Sequence, residues 1–135
     1  MSANDLMSAA SPPGTAATAP PTSPDCTLAT PDGGGKGHEA VGAFYDSSLR
    51  AFPDNQVRLD ALAEDGELLA EEGVLIATNT GPLPMPDGTE GPATGASLEL
   101  PYLAMHVVRD GRFVERRYYW DQMAMLGRLG LLPPP

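Results

Sequence analysis

His106, Arg116, Tyr118 and Asp121 are the residues of this chain whose types and spacing could do chemistry. They lie in or beside Asp110-Gly111-Arg112-Phe113-Val114-Glu115-Arg116-Arg117-Tyr118-Tyr119-Trp120-Asp121, a hairpin turn followed by a strand with aromatic residues at its end. With Tyr102 on the preceding strand, this region holds five of the eight aromatics, which places a pocket wall here. Histidine titrates near neutrality, so His106 is the natural base where no carboxylate is available; the competing role is a buried, hydrogen-bonded structural histidine. Asp121 directly precedes a helical segment, so capping of the first turn's free amides competes with proton transfer as its role. Two histidines without coordinating spacing predict no metal site.

These side chains need strands to present them. Tyr102, Ala104 and His106 share one face of a strand over Leu98–Val108, and Arg116, Tyr118 and Trp120 share one face of a strand over Arg112–Trp120. Asp110-Gly111 joins the two as a tight hairpin, and Pro101 marks a bulge or an unpaired edge position. If the Tyr118 face turns inward, Tyr118, Trp120 and Arg116 line the pocket; otherwise the aromatics are core or subunit-contact packing. Glu115, Arg116 and Arg117 together read as a solvated charge cluster. Asp121 opens a short helix, Gln122–Leu129, ended by Gly130.

Upstream, Val41, Phe44, Tyr45, Leu49 and Phe52 recur at helical spacing and predict a helix over about 38 to 52, capped by Gly37 and stopped by Pro53. Val57, Leu59 and Ala61 then alternate with polar residues, and Glu64-Asp65-Gly66 turns the chain into a second strand, Glu67–Thr78. Each face of that strand is apolar with one glutamate, Glu71 or Glu72, so the pattern leaves open which side is buried; Glu72 is a pocket candidate against a solvated carboxylate. Residues 79 to 95, with four prolines and four glycines, read as a long crossing loop rather than a lid.

Residues 1–36 are rich in Pro, Ala and Gly without apolar periodicity, and are expected to form a disordered arm before a domain spanning 37–135. Cys26 falls in that arm as an incidental thiol, and Cys26 to Ala29 could keep a remnant of a strand. A net charge of −10 argues against nucleic acid and anionic membrane as partners, because both require Lys and Arg to neutralise phosphate. There is no apolar run near the ~18 residues of a membrane span and no signal-peptide pattern, which makes the cytoplasm the default location.

Helix, hairpin, loop, hairpin and short helix form an α+β chain with a strongly curved antiparallel sheet. In that order, Gly37-His38-Glu39-Ala40-Val41, Ala51-Phe52-Pro53-Asp54, Thr78-Asn79-Thr80-Gly81-Pro82, Asp110-Gly111-Arg112-Phe113-Val114-Glu115, Tyr119-Trp120-Asp121 and Leu126-Gly127-Arg128-Leu129-Gly130-Leu131-Leu132-Pro133 resemble the SnoaL-like polyketide cyclases of the nuclear-transport-factor-2-like superfamily. Bacterial sequences of this type are often called ester cyclases. The resemblance implies a cone, a curved sheet wrapped around a helix with a ligand pocket at its wide end, commonly as a homodimer. It also implies cofactor-free ring closure by intramolecular aldol condensation, with a carboxylate on the last strand as acid/base.

Two departures qualify it. The column of that carboxylate falls on Tyr118, a phenol with an ordinary pKa near ~10 that is a poor base but can donate to a developing enolate. The helices that close the mouth of the cone have no counterpart in the Pro- and Gly-rich N-terminal segment, so either a partner chain supplies them or the pocket is open. The expectation is thus a SnoaL-like cyclase homologue that binds a small, largely apolar carbonyl compound. In it His106 or Asp121 takes the proton, Tyr118 with Arg116 stabilises the enolate, and Tyr45, Tyr102, Arg116 and Trp120 form the binding wall. The alternative is a non-catalytic ligand-binding or dimerisation module of the same fold.

Overall fold

Amphipathic spacing and two hairpin turns set the frame of the computed structural model, which describes residues 21–85 and 88–132. The expected helix is α1, Gly37–Ala51, with Lys36 rather than Gly37 at its cap position and Phe52 closing it before Pro53. The first hairpin is β3, Gln56–Asp65, with β4, Leu68–Thr78. The second is β7, Ser97–Arg109, with β8, Arg112–Trp120; Asp110 and Gly111 turn it at φ 52° and 74°, the left-handed values a two-residue hairpin requires. The short helix α2, Gln122–Arg128, follows Asp121. Among the described residues no helix is long and apolar enough to cross a membrane.

The arm assignment is corrected at its C-terminal half. Residues Thr22–Thr30 form β1 and Gly33–Lys36 form β2, so 22–36 belong to the sheet, while residues 1–20, where any closing helices would fall, lie outside the described residues. Composition undervalues this segment because its stability is largely backbone pairing: β1 runs parallel to β8 and antiparallel to β2. Its register against β8 breaks between Thr22 and Thr27, around Pro24, which has no N–H to donate. Cys26 is therefore no incidental thiol; it is fully buried in the core with Leu28.

The sheet order is β2-β1-β8-β7-β4-β3, an α+β architecture with α1 packed on one face of the sheet. Along that face Cys26, Leu28, Val41, Leu69, Ala104, Phe113 and Tyr118 make one core cluster. Ala51, Phe52, Ala77, Leu83, Leu98, Leu100 and Leu129 make a second, and Trp120 packs at the edge of both. Fully burying a side chain such as Phe113 or Leu98 contributes about 1.5–3 kcal/mol. A register shift between Leu59 and Ala61 reverses the parity of β3, so Leu62 packs against the core and Ala61 is exposed, contrary to simple alternation. Pro101 sits in an unbroken ladder with β4 and just ahead of the first β7–β8 pair, so it causes no parity slip.

The 79–95 connection is anchored at both of its ends. Asn79 is fully buried; its amide donates to the Ala51 and Gly81 carbonyls, and its Oδ1 accepts from the Thr94 N–H and hydroxyl. Gly81 approaches the end of α1 so closely that a Cβ would lie 1.7 Å from the Arg50 carbonyl oxygen. A short ladder, β5 at Leu83–Pro84 with β6 at Glu90–Gly91, completes the crossing.

Candidate active site

Strand register places the chemistry-bearing residues on the helix-packed face as a grid. Leu69, His106 and Arg116 lie side by side across β4, β7 and β8; Glu71, Ala104 and Tyr118 form the next row, and Gly73, Tyr102 and Trp120 the third. The small residues make the larger ones fit. Ala104 at the grid's centre is fully buried, and a Cβ on Gly73 would come within 2.6 Å of the Arg58 carbonyl oxygen and 3.1 Å of the Tyr102 hydroxyl.

Glu71 occupies the space this arrangement leaves. Its carboxylate is 1% exposed, accepts the Tyr102 hydroxyl at 2.7 Å on Oε2, and accepts His106 Nε2 at 2.5 Å on Oε1. A carboxylate acceptor fixes the proton on Nε2, so Nδ1 carries the lone pair, and Nδ1 is buried with no hydrogen-bond partner among the described residues. Burial pulls the His106 pKa below its ordinary 6.5, with Arg116 acting in the same sense and Glu71 opposing. The neutral, proton-accepting form therefore prevails at neutral pH.

Beside this dyad stands a donor group. Arg116 is 2% exposed, which removes it from the solvated Glu115/Arg117 cluster where its sequence neighbours placed it; Glu115 and Arg117 pair with each other at 3.2 Å. The Arg116 guanidinium lies 4.0 Å from the Phe113 ring centroid, and its Nη2 donates to the Tyr118 hydroxyl at 3.1 Å. Tyr118 and Tyr45 share a 2.5 Å hydrogen bond. Burial raises both phenols well clear of neutrality, so both remain protonated. One of their two protons is spent between them, leaving the other free to donate.

Of the residues expected to form the site, His106, Tyr118, Arg116, Tyr45 and Tyr102 come together. Trp120 lies at the edge, its indole stacked at 6.4 Å on Phe44 and its N–H donating to Gln122. Asp121 stands apart: it is exposed and accepts the Ala124 amide at 3.0 Å as the cap of α2. Tyr119 is 49% exposed on the opposite face, near Leu103 and beside a shallow concavity of about 450 Å³ that Glu72 also lines. The residue that sequence reading missed is Glu71; alternation put it and Glu72 on opposite faces, and only the pairing with β7 shows which face is inside. Among the described residues no group of three or more His, Cys, Asp or Glu is placed to hold a metal ion.

A family model for the SnoaL-like domain matches residues 12–116. The chain belongs to this family. Solved structures agree with the SnoaL-like fold. A SnoaL-like polyketide cyclase candidate from Jannaschia sp. CCS1 superposes with a TM-score of 0.72 at 22% identity, over 84% of this chain and 76% of that one. A protein of ketosteroid isomerase-like fold from Catenulispora acidiphila, in complex with trimethylamine, gives 0.73 at 14% identity over 98% and 95%. IdmH from Streptomyces antibioticus, a polyketide cyclase candidate, gives 0.64 at 27% identity over 82% of each chain. Comparison with curated proteins finds no match. The SnoaL-like domain here thus has the nuclear-transport-factor-2-like architecture, and its buried polar cluster sits on the sheet face that packs α1.

Proposed function

We propose that this SnoaL-like domain is a cofactor-free acid/base catalyst acting on a small, largely apolar carbonyl compound, with His106 as the base. The observation that carries the reading is the Glu71–His106 hydrogen bond together with the unpartnered His106 Nδ1, directly cross-strand from Arg116. A carboxylate that orients a neutral imidazole, set beside a guanidinium and a pair of protonated phenols, is the set of groups that proton abstraction next to a carbonyl requires.

In this reading Nδ1 takes a proton from the carbon next to the carbonyl, and the electron pair moves onto the carbonyl oxygen. The free phenolic proton of the Tyr45–Tyr118 pair and the positive charge of Arg116 stabilise that oxygen. The enolate carbon then attacks a second carbonyl of the same molecule, one C–C bond forms, and the new alkoxide recovers the proton from the His106 imidazolium. Glu71 replaces, from a different strand, the last-strand carboxylate whose column holds Tyr118. Asp121, occupied as a helix cap, takes no part.

The test is deuterium exchange by NMR next to the carbonyl in a panel of aryl ketones and β-keto esters. Exchange above buffer that disappears in His106→Ala and persists in Asp121→Asn is expected. Exchange retained in His106→Ala removes the assignment.

A second reading concerns the outer face, where Tyr119 and Leu103 are 49% and 43% exposed. Large apolar side chains left in water at the middle of a sheet suit a homodimer contact. Tyr119→Glu converts the particle to a monomer in light scattering if this face joins two copies; a wild-type monomer removes the idea.

A further inference from the structure

Arg116 brings a permanent positive charge into the interior with no carboxylate in contact among the described residues. Both oxygens of Glu71 are taken by Tyr102 and His106, and Glu115 pairs with Arg117. Among the described residues Nη2 meets only a neutral phenol, and Nε, also buried, has no hydrogen-bond partner. A desolvated cation held this way is a costly arrangement, and one that an incoming negative charge would relieve.

We infer that the ligand of this site is an organic anion with its charge on oxygen, carried by the same enolisable carbonyl compound as a carboxylate or an ionised acidic enol. The inference rests on the site reading above and adds the charge of the substrate to it. In a guanidinium, Nε–H and Nη2 lie along one edge, so the open Nε–H offers an incoming oxygen a bond on the edge that carries the Nη2 bonded to Tyr118. Phe113, Phe44 and Leu62 make the surroundings apolar, which strengthens that interaction and favours an aromatic body behind the charge. The chain's net charge of −10 repels anions at a distance, so the preference has to come from Arg116 itself.

The experiment titrates the protein, by calorimetry and by fluorescence of its single tryptophan, Trp120, with two matched pairs. These are 4-acetylbenzoate against its methyl ester, and 2-hydroxy-1,4-naphthoquinone against 2-methoxy-1,4-naphthoquinone. At least one anion is expected to bind about tenfold or more tightly than its neutral partner, as a charge-assisted hydrogen bond provides, and the pair that shows it separates carboxylate from enol. Arg116→Met removes the preference; should that variant not fold, Arg116→Lys, which keeps the charge but loses the fork, reduces it. Equal binding within both pairs, no binding by any of the four at millimolar concentration, or a preference that survives in folded Arg116→Met overturns the inference. His106-dependent exchange without anion preference defeats this inference alone. Anion binding without His106-dependent exchange defeats the catalytic reading alone.

Discussion

Glu71→Gln separates catalytic orientation from mere packing at this site. The amide has the shape of the carboxylate, so its oxygen still accepts the Tyr102 hydroxyl, and its NH₂ group faces His106 Nε2 at the position where the carboxylate oxygen accepted at 2.5 Å. A donor there forces Nε2 to become the acceptor and moves the imidazole proton to Nδ1, the atom proposed to take the substrate's proton. Both upward influences of Glu71 on the His106 pKa, its hydrogen bond and its charge, are lost together, so His106 falls further below 6.5. Reversing the tautomer behind a catalytic histidine lowers turnover by about 10⁴-fold in serine proteases, and a loss of about 10³–10⁴ in the exchange rate is expected here. Replacing charge-assisted bonds by neutral ones, and removing a negative charge that acts favourably on the buried Arg116, costs about 1–3 kcal/mol, or about 4–8 °C in Tm per kcal/mol for a domain of this size. The measurement pairs NMR exchange rates with circular-dichroism melts and the ¹⁵N shifts of His106, which report the tautomer directly. A folded Glu71→Gln protein that carries the flipped tautomer and still exchanges at the wild-type rate refutes the reasoning. Glu72→Gln, one residue along on the exposed face, leaves the rate unchanged.

Three further outcomes follow from the same geometry. The exchange rate climbs as pH rises through the His106 value, below 6.5, and then levels off; because the folded-state pKa is lowered, the stability linked to neutral His106 is full above 6.5 and is lost as pH falls through the folded value, which melts across that range measure. Asp121→Asn preserves both Tm and exchange, whereas Asp121→Ala costs about 1 kcal/mol of stability with no change in rate per folded molecule; a rate loss in the Asn variant would return Asp121 to the chemistry. Gly73→Ala forces its methyl group against the Arg58 carbonyl and Tyr102, destabilises the domain by about 1–3 kcal/mol, and lowers exchange by displacing Tyr102 from Glu71; unchanged melting would show that β3 and β4 part without cost.

The distribution of what was legible follows the range of the interactions involved. Asp110-Gly111 dictated a hairpin because only left-handed dihedrals close a two-residue turn, but the turn alone would set His106 opposite Glu115 and Tyr102 opposite Tyr119; a register shift between Val107 and Val108 sets them opposite Arg116 and Trp120 instead. Helical spacing in Val41, Phe44, Tyr45 and Leu49 was equally local, whereas the position of Asp121 ahead of α2 left capping and chemistry in competition until its bond from the Ala124 amide decided for the cap. The Pro- and Gly-rich segment misled, since β1 and β2 are held by hydrogen bonds to β8 and to each other that composition does not register.

Glu71 shows where local information stopped. Its strand offered two equivalent faces, and the choice between Glu71 and Glu72 was made by the β4–β7 register, across a connection of eighteen residues (79 to 96) whose own geometry depends on Asn79 and Gly81 meeting the end of α1. The sequence by itself determined α1, α2, the two hairpins and the shared face of Tyr102, Ala104 and His106, because these follow from neighbours within a turn or a strand. Which acid reaches His106, and that Arg116 is buried with no carboxylate in contact among the described residues, were decided only when distant strands packed, because burial and charge compensation are properties of the assembled sheet.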